Sequence, residues 1–130
     1  MSNTVETALE RFNRGANCCQ ATICAFCGEN GLNEETAMRM GAAFGGGMRR
    51  GEVCGAVVGA LMALGLRHGA DKPEEQDRKA AANAKTSAFM KAFQERYGSY
   101  LCRELIKANG KKVCETAIAG AVALLEEMDG

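Results

Sequence analysis

The fourteen residues from Val53 to Leu66 carry no charge and only one side chain with any polar character, the thiol of Cys54. As a helix this stretch spans ~21 Å, short of the ~20 apolar residues that cross a bilayer, and its polar flanks cannot extend it. It predicts a core helix enclosed on all sides rather than a membrane span. Gly51, Gly55, Gly59 and Ala63 recur every four residues. Each interior glycine costs ~1 kcal/mol against alanine, so a bare face of this kind implies that another backbone lies close to it. Gly45-Gly46-Gly47, followed by Arg49 and Arg50, leads from Phe44 into the helix and places Cys54 in its first turn. That thiol is the first candidate for chemistry.

The remaining segments read as helices around this core. Val5, Ala8, Leu9 and Phe12 define one face of a helix from Asn3 to Asn13, broken by Gly15-Ala16. Asn17 with Gln20 three residues on has the form of a capping box opening a helix through Phe26, closed by Gly28-Glu29-Asn30-Gly31. Asn33-Glu34-Glu35 opens a third, to about Phe44. Arg67, His68 and Gly69 supply the cations and glycine expected at the end of the central helix, and His68 is read as part of that cap. Pro73-Glu74-Glu75 begins a long helix to Tyr97, with an apolar stripe of Ala82, Phe89, Met90, Phe93 and Tyr97 and a polar start that projects into solvent or against a partner. Ser99 caps a short helix over Tyr100 to Lys107, Asn109-Gly110 breaks it, and a last helix runs from Lys111 to Met128. No alternating run is long enough for a strand. The expectation is an all-α, single-domain bundle of about six to seven helices, residues 1–130, around a buried Gly/Ala-rich central helix.

Sixteen basic residues balance sixteen acidic ones, which argues against a nucleic acid or an anionic membrane surface as partner. The opening MSNTVETALERF has neither the basic start nor the apolar run of a secretory signal, so the expected location is the cytoplasm. Seven cysteines are many for that reducing compartment, and the odd count speaks against a disulfide scaffold. Their positions carry the information. Cys18, Cys54, Cys102 and Cys114 fall in expected first turns, where free N–H groups and the helix dipole favour a thiolate. Arg49, Arg50, Arg103, Lys111 and Lys112 stand beside them in sequence and add to the effect. Cys24 and Cys27 form a C-x-x-C without the preceding strand of a thioredoxin-type motif and are expected to pack, while Cys19 points ~100° away from Cys18 around the helix. Cys102 and Cys114 flank Asn-Gly, a spacing that suggests two antiparallel helix ends joined by one turn. No zinc-ribbon spacing is present and there is one histidine, so a metal reading rests on thiolates alone: an iron-sulfur cluster or zinc. Gly46 to Gly51 has the outer spacing of a phosphate loop, but Glu52-Val53 stands where Lys and Ser/Thr are needed.

Asn17-Cys18-Cys19-Gln20, Phe44-Gly45-Gly46-Gly47-Met48, Cys54-Gly55-Ala56-Val57-Val58-Gly59-Ala60, Cys102-Arg103-Glu104-Leu105 and Cys114 together resemble the C_GCAxxG_C_C family of putative redox-active proteins. The order and spacing agree from about residue 10 to the end. The resemblance implies redox activity, with Cys18, Cys54, Cys102 and Cys114 as signature cysteines. Cys19 stands where the family has a small residue, and Cys24 and Cys27 lie outside the signature.

Three functions are consistent with these residues. The leading one is a cytoplasmic protein whose four thiols meet at one end of the bundle and exchange electrons as dithiol and disulfide with a partner protein or small thiol, Cys54 attacking. The second is an electron carrier in which Cys18, Cys54, Cys102 and Cys114 ligate an iron-sulfur cluster, zinc or another soft metal ion. The third is a helical interaction module with structural thiols, dimerising through the bare glycine face or the long helix.

Overall fold

The computed structural model of the chain describes residues 3–129. They form seven α-helices: α1 (Asn3–Asn13), α2 (Cys18–Cys27), α3 (Glu34–Gly41), α4 (Gly55–His68), α5 (Gln76–Tyr97), α6 (Cys102–Asn109) and α7 (Val113–Asp129). A short 3-10 turn, Gly28–Asn30, ends α2. The fold is all-α, with no strand among the described residues and one isolated antiparallel bridge, between Val53 and Leu101.

The capping box expected at α2 is formed. Asn17 Oδ1 accepts the Gln20 N–H at 2.8 Å, and Gln20 Oε1 accepts the Asn17 N–H at 2.8 Å. The same two side chains tie down the end of α3, Asn17 Nδ2 donating to Gly41 O and Gln20 Nε2 to Met38 O. This interaction places the first turn of α2, and with it Cys18, against the loop that leads into α4.

Helix α4 is the centre of the main core, with Ala56, Val57, Ala60 and Ala63 fully buried. Its bare face meets α2: a methyl group added at Gly59 would lie 2.9 Å from Cys19 O and from Thr22 Cβ. Three expectations about this helix are corrected. It is not enclosed on all sides, because Val58, Leu61 and Met62 are only partly buried and Leu66 is 41% exposed. The helix begins at Gly55, so Cys54 is its N-cap rather than part of its first turn. Gly51 lies outside it, in a turn with φ +71°, and faces Arg103 instead of α2. Helix α3 stops at Gly41 rather than near Phe44, since the residues beyond it turn into the glycine loop. The long helix starts at Gln76, because Glu75 turns its carboxylate back onto the N–H groups of Asp71 and Lys72 and holds Pro73-Glu74 in a turn. Ser99 is not the cap expected of it: α6 runs Cys102–Asn109 rather than Tyr100 to Lys107, Leu101 is its N-cap, and Ser99 lies just ahead of it, accepting the Leu101 N–H at 3.0 Å and donating to Glu104 at 2.6 Å.

The polar start of α5 is exposed, and its later turns bury Phe89 and Phe93 in the core. No described helix is long and apolar enough to cross a membrane.

Two glycines of α4 should respond with opposite sign. Gly59→Ala drives a methyl group into backbone and should lose ~1–3 kcal/mol of unfolding free energy. Gly65→Ala meets nothing within 4 Å and should gain ~0.5–1 kcal/mol from helix propensity. Urea unfolding of the two variants checks both signs.

Candidate functional site

The four cysteines singled out by position are brought together. Cys18, Cys54, Cys102 and Cys114, which come from four separate segments, line one cavity of about 70 Å³ with Gly46, Leu105, Ile106, Val113 and Ala117. At ~30 Å³ per water molecule, that space holds about two. Cys18, Cys102 and Cys114 lie at the starts of α2, α6 and α7, and Cys54 caps α4. All four residues therefore stand at helix N-termini, whose dipoles favour negative charge.

Backbone hydrogen bonds hold two of these starts side by side. Cys54 N–H donates to Tyr100 O and Cys102 N–H to Glu52 O, each at 2.7 Å, on either side of the Val53–Leu101 bridge. The approach to Cys54 is a left-handed turn: Gly46, Gly47, Met48 and Arg49 all have φ near +60°, and Glu52 N–H closes it on Gly47 O at 3.0 Å. Met48 and Arg49 adopt a conformation that costs ~1–2 kcal/mol for a residue with a Cβ. The turn presents the Gly46 N–H to the Cys18 sulfur.

Cys18 is the acidic member of the set, its pKa lowered to about 6. The main cause is the Cys54 S–H, which hydrogen-bonds its thiolate; burial opposes this, and the N–H groups of Gly46, Cys19 and Gly55 assist. Cys54 is pushed up, first by that same bond and then by burial and the Cys18 charge. This reverses the expected order within the pair. Cys54 has the cationic approach in sequence, but Arg49 and Arg50 are exposed and its own sulfur is buried. Cys18 collects three N–H groups, whereas only those of Ala56 and Val57 favour the charge at Cys54.

Cys102 and Cys114 are both raised, by burial first and then by the Cys18 charge; the N–H dipoles of their helix starts do not overcome these effects. Lys111 partly offsets the rise at Cys114. Cys114 is partly exposed, whereas Cys18, Cys54 and Cys102 are buried.

A family model described as C_GCAxxG_C_C, putative redox-active protein, matches residues 16–128. The chain belongs to the C_GCAxxG_C_C family. No curated protein and no solved structure was found to match it. The structure gives the glycines of the family's name a physical reason in this chain. A methyl group at Gly55 would overlap the Cys18 sulfur and sit 2.9 Å from Phe44 O, and Gly59 admits the α2 backbone. Glycine next to Cys54 is what lets the two sulfurs meet.

The other three thiols stand apart from this C_GCAxxG_C_C site. Cys19 is fully buried beside Cys18 and raised to about 12 by burial. Cys24, raised to about 11, and Cys27, whose S–H donates to Cys24 O at 3.3 Å, sit in a second small core with Ile23 and Ala37. The alternative of a thiolate metal centre fits less well. Among the described residues no three His, Cys, Asp or Glu side chains stand so that they could hold a metal ion, and the four cavity thiols are included in that statement.

Ultraviolet thiolate absorbance of the reduced protein should show one thiolate titrating with a midpoint of about 6, absent in Cys18→Ala. Removing the S–H donor in Cys54→Ala should move that midpoint up, toward the ordinary cysteine value of about 8.5.

Proposed function

We propose that this protein is a thiol–disulfide exchange protein of the cytoplasm, acting as one helical domain in which Cys18, Cys54, Cys102 and Cys114 cycle between dithiol and disulfide. One observation carries this reading: four cysteines spread over the chain line a single small cavity, and beside the Cys54 thiol the pKa of Cys18 is lowered. A stabilised thiolate beside a second thiol is the arrangement disulfide exchange requires. The thiolate attacks a disulfide sulfur, and the neighbour, once deprotonated, resolves the mixed disulfide. Cys18 is the nucleophile of its pair and Cys54 the resolving thiol. Cys19, Cys24 and Cys27 take no part, because burial keeps them protonated and none of them lines the cavity.

Thiol counting on protein prepared without oxygen tests this. Mild oxidation should remove four thiols and dithiothreitol should restore them, with peptide mapping locating the change at Cys18, Cys54, Cys102 and Cys114. Seven thiols that stay unreactive in the folded protein, or a brown preparation with stoichiometric iron, would overturn the proposal.

A further inference from the structure

The four sulfurs differ in how they can be reached. The cavity of about 70 Å³ is too small for any disulfide larger than a few atoms, so a substrate must react at its mouth. Among the lining cysteines only Cys114 is partly exposed. The Cys18 sulfur, although the most readily ionised, lies inward, wedged against Gly55 and bonded to Cys54. Cys102 is no more exposed than Cys18, at 9%, but feels the charges of both Cys18 and Cys114. Lys111 favours a thiolate at the mouth, on Cys114.

We infer that the thiols form two pairs in series: Cys102 and Cys114 exchange with disulfides in solution, and Cys18 and Cys54 gain and lose electrons only through them. This rests on the exchange function proposed above and adds an order to it. In the first stage Cys114 thiolate attacks the external disulfide, forming a mixed disulfide and releasing one thiol. Cys102, deprotonated, then attacks the Cys114 sulfur, closing Cys102–Cys114 and releasing the second thiol, so the substrate gains two electrons and two protons. In the second stage Cys18 thiolate attacks the Cys102 sulfur and expels Cys114 thiolate next to Lys111. Cys54 gives up its proton and attacks Cys18, closing Cys18–Cys54 and freeing Cys102. The outer pair recovers two protons, one from Cys54 and one from solvent, and reacts with a second disulfide. A stabilised thiolate favours the reduced form of its pair, so Cys18 and Cys54 are the last to be oxidised.

The test is stepwise oxidation of the reduced protein, without oxygen, by 5,5′-dithiobis(2-nitrobenzoate), followed by alkylation and peptide mapping. One equivalent should yield Cys102–Cys114 with Cys18 and Cys54 still reduced, and two equivalents should yield both bonds. Cys114→Ser should slow formation of Cys18–Cys54 by about ten-fold or more, with the Cys18 thiolate absorbance intact as a check on folding. Cys102→Ser should trap the nitrobenzoate adduct on Cys114. A Cys18–Cys54 bond that forms ahead of Cys102–Cys114, or at full speed in Cys114→Ser, overturns the serial order and leaves exchange standing. Absence of any reactive thiol overturns exchange as well.

Discussion

The close approach of α2 to α4 is the constraint on which the rest depends. Two helices with ordinary side chains at the contact stand 8–10 Å apart. Here Gly59 lets Cys19 O and Thr22 approach to a distance that any Cβ would forbid, and Gly55 leaves room for the Cys18 sulfur itself. Packing and chemistry are thus one interaction. The contact that closes the middle of the core also seats Cys18 against Cys54. Thr22 Oγ1 donates to Cys18 O at 2.8 Å, which satisfies the buried hydroxyl without asking anything of α4.

A second constraint fixes the other half of the site. The left-handed turn from Gly46 to Arg49 holds two residues with side chains in a disfavoured conformation, and such strain persists only where the surroundings over-determine it. The surroundings do so here. Glu52 N–H closes the turn on Gly47 O, Glu52 O receives the Cys102 N–H, and Arg103 covers Gly51 and pairs with Glu52 at 3.2 Å. One residue, Glu52, therefore links the loop before α4 to the start of α6. The strain serves to aim the Gly46 N–H at the Cys18 sulfur.

Much of this was legible in the sequence because its signals are local. The Asn17–Gln20 capping box and the glycine spacing at Gly55 and Gly59 each depend on residues within a turn or two, and the all-α fold follows from such signals. The four site cysteines were legible for the same reason, each lying where a helix begins. What escaped was set by contacts between distant segments. Gly51 continues the four-residue spacing, yet a left-handed turn removes it from the helix and gives it to Arg103. The lowered pKa of Cys18 depends on the Cys54 S–H and on N–H groups from Gly46, Cys19 and Gly55, contacts that the sequence neighbours Arg49 and Arg50 do not signal. That Cys114 alone of the four is partly exposed is likewise a tertiary property with no local signal.

The electrostatics couple the two pairs. While Cys18 is a thiolate, its charge raises the pKa of Cys102 and Cys114 and makes the outer thiols harder to ionise. Once Cys18 is bonded to Cys54 that charge is gone, which leaves burial and, for Cys102, the Cys114 charge to oppose ionisation, with Lys111 still favouring it at Cys114. The outer thiols are then more readily ionised than in the fully reduced protein. Exchange rate depends on the thiolate fraction of the attacking group, so in the serial scheme proposed above the state of Cys18 and Cys54 would tune the reactivity of Cys114 through charge. In a cavity with room for about two water molecules there is little solvent to screen this coupling. The cavity's size is therefore part of the chemistry as well as the packing.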